Sequence, residues 1–228
     1  AFPTSMFLRN LMSMDTEEMI KAQPMDGVVL IGGCDKTVPA LVMGAASANV
    51  PAIVEVTGPM LTGTHHGERV GACTDCRRFW AMYRGGEIGD LEVEELTNEL
   101  VPTAGTCGVM GTASTMALMT EAMGMMLPGG GAIPATYADR PRHAELTGNR
   151  AVAMIAEDLS PDKVITPAAV RNALRVLQAI GGSTNGLIHM TAMAGRLGIR
   201  VDLDTFDELG RDIPVLVDLK PSGQYYME

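Results

Sequence analysis

A short β-branched and apolar run, Val28-Val29-Leu30-Ile31, closes on Gly32-Gly33 and hands over to Cys34-Asp35-Lys36. No other stretch constrains the fold of this chain as strongly. Such a run ending in paired glycines reads as a buried strand that stops at a tight turn. The small, apolar segment that follows, with Pro39 near its start, reads as a helix, because proline is tolerated in a first turn. The tripeptide therefore lies where a strand meets a helix N-terminus, the place where open α/β sheets bind ligands. It sets a soft sulfur, a hard carboxylate and an amine side by side, a donor mixture suited to metal ions. A phosphate loop is a poor alternative, since Asp35 stands where glycine should precede the lysine and its charge repels phosphate. A buried free cysteine beside a helix-capping aspartate is the plainer alternative.

A second cysteine in a similar setting favours the metal reading. Pro102-Thr103-Ala104-Gly105-Thr106-Cys107-Gly108-Val109-Met110-Gly111-Thr112-Ala113-Ser114-Thr115-Met116 is a small-residue loop around Cys107 running into a helix. Glycines on both sides allow the backbone to approach a bulky group and leave amide N–H groups free to bond it. The pattern along the chain predicts helices over 5–21, 37–48, 75–83, 91–100, 112–125, 142–157, 167–179 and 186–197. Strands are predicted at 27–31, 52–56 and 214–217, with a Gly/Thr/His-rich loop over 57–68. Strands alternating with helices indicate an α/β fold, a layered, mainly parallel sheet flanked by helices.

These two cysteine stretches resemble the dihydroxy-acid and sugar-acid dehydratase family, which includes phosphogluconate dehydratase. The similarity runs over almost the whole chain, including Arg9-Asn10-Leu11-Met12-Ser13-Met14 and Ile180-Gly181-Gly182-Ser183-Thr184-Asn185. The resemblance implies that Cys34 and Cys107 ligate an iron–sulfur cluster, 2Fe–2S or 4Fe–4S. It implies that Asp35 holds magnesium, and that Lys36 becomes N-carboxylated and offers its carbamate to the same ion. It further implies a third cluster cysteine upstream and a C-terminal domain carrying a catalytic serine. No catalytic residue is therefore expected within 1–228, which reads as a single incomplete α/β domain, inactive alone. The reaction implied is loss of water from a 2,3-dihydroxy acid, such as a pentonate, to a 2-keto-3-deoxy acid. Dihydroxy-acid dehydration in branched-chain amino-acid biosynthesis is the alternative, and a non-catalytic iron–sulfur sensor is an alternative of another class. A homo-oligomer, dimer or tetramer, is also implied.

Composition narrows the partners. The chain carries 17 Lys and Arg against 27 Asp and Glu, a formal charge of −10. This argues against nucleic acid and anionic membrane; the partner that the resemblance implies is a small-molecule sugar acid or dihydroxy acid. No apolar run reaches membrane-spanning length. Four cysteines without a secretory signal point to a reducing, cytoplasmic setting. Cys73-Thr74-Asp75-Cys76 is a C-x-x-C unit that could be redox-active or half of a zinc site. No second such unit and no well-spaced histidine pair accompany it, so it is assigned no ligand role; its sequence resembles the sugar-acid branch of the family. Thr57, at a strand end, is a candidate for the substrate pocket. His65 and His66 either face that pocket or are solvated loop histidines. Ser183 and Thr184 either bind a substrate carboxylate or cap the next helix, and capping is the simpler reading.

Overall fold

The computed structural model describes residues 3–228. Its centre is a β–α–β unit: β1 (Val28–Gly32), α2 (Thr37–Ala48) and β2 (Ala52–Val56), the strands parallel with Val28 opposite Ala52 and Gly32 opposite Val56. Helix α2 is apolar on all sides, as befits a helix covered on all sides. Val38, Ala40, Val42, Met43, Ala45 and Ala46 are all buried. It ends at Asn49, whose left-handed backbone lets its N–H reach Ala45 O. The first helix, α1 (Pro3–Ala22), lies against α2 so closely that a Cβ on Gly44 would stand 2.7 Å from Thr16 Cβ and 2.8 Å from Ser13 O. Further round come α5 (Thr112–Ala122), α8 (Pro167–Ala179), α9 (Asn185–Gly195) and α10 (Leu203–Gly210). Val170, Ala173, Leu174 and Leu177 face inward from α8 at i, i+3, i+4 and i+7, and Thr166 caps it by accepting from Ala169 N–H. Methionines dominate this core, among them Met116, Met119, Met190 and Met193, unbranched side chains that fill irregular gaps. A smaller apolar cluster of Val70, Phe79, Ile88, Val93, Leu96 and Leu100 lies under α3 (Asp75–Arg84) and α4 (Asp90–Leu100).

The α/β class holds, but the sheet is small. Among the described residues the parallel sheet is β1 and β2 alone, and the flank of β2 is met by Met125 O, which accepts from Val54 N–H. Residues 214–217 form no strand: Leu216 N–H bonds Ala179 O, while Val215 and Leu216 stay exposed, and Pro214 brings no donor to a ladder. The 57–68 loop instead contains a hairpin, β3 (Gly63–His65) with β4 (Glu68–Val70). His66 and Gly67 turn it with φ of 49° and 82°, the left-handed pair that a two-residue hairpin loop requires. Two helices were not foreseen either, α7 (Pro161–Val164) and α10, whereas α6 (Asp139–Ala156) begins a turn earlier than expected. No helix of the described residues is long and apolar enough to cross a membrane.

Candidate active site

The turn after β1 places Cys34 with φ 68°, and the turn after β4 places Cys73 with φ 69°. Non-glycine residues rarely adopt this left-handed backbone, and such strain concentrates where a side chain must be aimed. Gly33 is required where it stands, because a Cβ there would lie 2.1 Å from Thr57 Oγ1. Cys107 reaches the same place through backbone stitching. Met60 N–H donates to Thr106 O at 2.8 Å and Thr106 N–H donates to Gly58 O at 2.9 Å, tying the Cys107 loop to the exit of β2. The C-terminal residues clamp both loops. Met227 N–H bonds Gly108 O and Met110 N–H bonds Lys220 O. Tyr226 donates its hydroxyl proton to buried Asp75 at 2.6 Å, and Gly71 N–H bonds the same carboxylate at 3.0 Å.

Cys34, Asp35, Cys73, Cys107, Gly111, Thr112 and Ala113 thus line one cavity of about 370 Å³. Cys73 and Cys107 sulfurs are 2.8 Å apart and all four cysteines are free thiols. Cys73 ionises first, held down to about 7 by the hydrogen bond from Cys107, with burial and Asp35 opposing and Arg77 assisting. Cys107 keeps its proton: that same bond, burial and the charges of Cys73 and Cys34 all push its thiol up. Burial and the Asp35 carboxylate push Cys34 up despite a backbone hydrogen bond. Asp35 Oδ2 pairs with Lys36 Nζ at 2.6 Å, and its Oδ1 stands 3.7 Å from the Cys34 sulfur. Behind Lys36 lies fully buried His189, whose pKa is depressed to about 4 by burial and by the charges of Arg9 and Lys36. Arg9 donates to His189 Nδ1 at 3.0 Å, which fixes the Nε2–H tautomer.

The first turn of α5 opens on this cavity, and its N–H groups lack intrahelical partners, a setting that favours anions. Thr112 Oγ1 is 2.9 Å from Ser183 Oγ and accepts from Asn185 Nδ2 at 3.1 Å, so α5 and α9 start side by side. Ser183 Oγ also accepts from Asn185 N–H at 3.3 Å, a capping contact, whereas Thr184 makes no side-chain cap bond. Ser183 and Thr184 line a separate cavity of about 390 Å³ with Leu177 and Phe206. Thr57 lies beside Cys34 in a narrow cleft behind the thiols. His65 and His66 do not line the thiol cavity; they stand on the β3–β4 hairpin beside Glu92.

The C-x-x-C unit is split. Cys76 packs with Met82 and Tyr83 against the smaller apolar cluster, while Cys73 faces the cavity, so the two do not act as one motif. The structure therefore separates Cys73, on the cavity, from Cys76, which lies off it. The signal that marks Cys73 is a glycine two residues before it, at Gly71, much as Gly32-Gly33 precede Cys34. The donor chemistry fits an iron–sulfur cluster with a nearby hard cation: three sulfurs share one cavity with Asp35, whose carboxylate pairs with the buried Lys36 next to it.

Residues 2–228 match the family profile described as dihydroxy-acid/6-phosphogluconate dehydratase N-terminal. The chain is 51% identical over 226 residues to an L-arabinonate dehydratase of Rhizobium leguminosarum bv. trifolii, covering 99% of this chain and 39% of that protein. It is 41% identical over 226 residues to a D-xylonate dehydratase of Caulobacter vibrioides, with 99% and 38% coverage. It is 43% identical over 212 residues to a dihydroxy-acid dehydratase of Methanospirillum hungatei, with 93% and 39% coverage. The chain thus spans about two fifths of the length of these curated relatives.

Proposed function

Because the chain belongs to the dihydroxy-acid/6-phosphogluconate dehydratase N-terminal family, we propose that it forms the cofactor-binding part of a hydro-lyase acting on a 2,3-dihydroxy sugar acid. The product is the 2-keto-3-deoxy acid: the C2 proton is removed, the C3 hydroxyl departs as water and the enol tautomerises. A pentonate is the favoured substrate, in line with the names of the L-arabinonate and D-xylonate relatives. The observation that carries the reading is the convergence of Cys34, Cys73 and Cys107 with Asp35 on one cavity. Cys34 and Cys107 would hold an iron–sulfur cluster, with Cys73 at its margin, and Asp35 with carboxylated Lys36 would hold magnesium. When bound, these groups supply Lewis-acid polarisation of the substrate oxygens. The chain's own part is positional. Arg9 and His189 brace the site from behind Lys36, the α5 N-terminus favours the substrate carboxylate, and Thr112 offers a hydroxyl to its oxygens. The proton-abstracting serine and a further cluster cysteine are sought outside these 228 residues. Free thiols at the site suit a reducing, cytoplasmic compartment.

The test is turnover by the complete gene product, reconstituted anaerobically with iron, sulfide and magnesium, on pentonates, hexonates and branched-chain dihydroxy acids. Pentonates are expected to give the highest kcat/KM, and Cys34→Ser and Cys107→Ser are each expected to lose iron and activity, since hydroxyl replaces thiolate poorly on iron. Highest turnover of a branched-chain acid would move the assignment to the branch represented by the dihydroxy-acid dehydratase relatives. Full iron retention in both serine variants would overturn it.

A further inference from the structure

On the far side of the smaller apolar cluster, the β3–β4 hairpin runs along α4. Gly63 sits against the backbone of Glu99, where a Cβ would meet its carbonyl, and Thr64 N–H bonds the Glu99 carboxylate at 3.2 Å. The hairpin's tip consequently comes down beside Glu92, in the first turn of the helix. Successive strand residues ordinarily point to opposite faces. Here the left-handed backbone of His66 folds its ring back, and the His65 and His66 ring centroids are 4.0 Å apart. One donor atom from each of His65, His66 and Glu92 falls within 4.8 Å of the other two. The His65 side chain is only 10% exposed, and its Nε2 has no hydrogen-bond partner. The Glu92 carboxylate, 3.7 Å away, lies beyond hydrogen-bonding distance. An aromatic nitrogen buried without a partner calls for an explanation, and a bound cation supplies one. Helix α4 also carries Asp90, Glu94, Glu95 and Glu99, a field that draws cations.

We propose that His65, His66 and Glu92 bind one divalent transition-metal ion, zinc by preference, with water as the fourth ligand. Two imidazoles and a carboxylate suit zinc's borderline softness, whereas magnesium and calcium select oxygen. Tetrahedral coordination with bonds near 2.0–2.1 Å needs donor separations of about 3.3 Å, which side-chain rotation at the exposed His66 and the half-buried Glu92 can reach. The ion would pin the hairpin tip to α4, and it is independent of the thiol cavity. The test is anaerobic titration with Zn²⁺ and with Co²⁺ of the parent chain, His66→Ala and Glu92→Gln. His66 is exposed, and glutamine keeps the shape of the half-buried Glu92, so the variants are expected to fold, and His65→Ala serves as a third. The parent should take up one equivalent more than His66→Ala, and Glu92→Gln should weaken that equivalent at least about tenfold. The parent-minus-variant cobalt spectrum should show ligand-field bands without sulfur-to-cobalt charge transfer. Equal stoichiometry and affinity in parent and variants, or a difference spectrum carrying sulfur charge transfer, overturns the site.

Discussion

Glu55→Gln tests how the exit of β2, which anchors the Cys107 loop, is held. Glu55 is buried in β2 and takes three partners: Arg140 Nη1 at 3.0 Å, His143 Nδ1 at 2.7 Å and Thr147 Oγ1 at 2.8 Å. Arg140 in turn bonds Gly130 O at 2.8 Å and Ile133 O at 2.5 Å, and its guanidinium lies against Gly58, whose carbonyl anchors the Cys107 loop. Glutamine keeps the shape: its oxygen still accepts from Arg140, and its amide can donate to Thr147 and His143. Only the charge is lost, leaving a buried guanidinium without a counterion. Breaking a buried pair costs about 3–5 kcal/mol. The retained carbonyl bonds place this case at the lower end, about 3 kcal/mol, equivalent to a fall in Tm of about 6–12 °C for a chain of this size. Thermal and urea unfolding of the two proteins at pH 7 measures it. Arg140→Met in the Glu55→Gln background should recover part of the loss, because it removes the lone buried charge, at the cost of the bonds to Gly130 O and Ile133 O. A fall of less than about 1 kcal/mol would show that Arg140 does not depend on the Glu55 charge.

Three further outcomes are expected. In the cluster-free chain, iodoacetamide should modify Cys73 with a pH midpoint near 7, and Cys107→Ala, which removes the donor, should move that midpoint up, because the Cys107 hydrogen bond is the largest stabiliser of the Cys73 thiolate. Peptide mapping across pH reads this, and an unchanged midpoint in Cys107→Ala would contradict it. Burial opposes ionisation of Asp75, yet bonds from Tyr226 and Gly71 outweigh it and hold its pKa below the usual value, so its contribution should be full above the unfolded carboxylate range near pH 4 and fade as pH falls further. Asp75→Asn should accordingly narrow the difference in unfolding free energy between neutral and strongly acidic pH, and an unchanged difference would speak against it. Cys76→Ser should keep iron content and turnover in the complete gene product, since Cys76 packs in the apolar cluster and not on the cavity; loss of iron there would show the split of the C-x-x-C to be mistaken.

The β1–turn–α2 unit was legible because its signals are local: an apolar run, paired glycines and an all-apolar helix. The family resemblance was legible from the two cysteine stretches, and the profile match bears it out. What escaped depends on contacts between distant segments. Cys73 joins Cys107 only because Pro59 and Thr106 run side by side and the C-terminal residues clamp both loops. The hairpin was missed because two adjacent histidines and one glycine do not look like a turn between strands until His66 adopts a left-handed backbone. The third strand was expected from Val215 and Leu216, but apolar residues make a strand only where a neighbouring edge can pair with them. His189, buried near the middle of α9, carries no pattern that predicts its partner Arg9 on α1.

In the proposed function, the turn after β1 combines a sulfur site with a separate hard-cation site. Asp35→Asn and Lys36→Arg address it most directly, because both leave every thiol in place. Asparagine offers a neutral oxygen where magnesium favours a charged one, and arginine can neither lose its proton nor form a carbamate. Iron content and pentonate turnover are to be measured in parallel on the complete gene product. Both variants are expected to keep their iron and lose most of their turnover; parent-like turnover in both would remove the hard-cation site from the proposal.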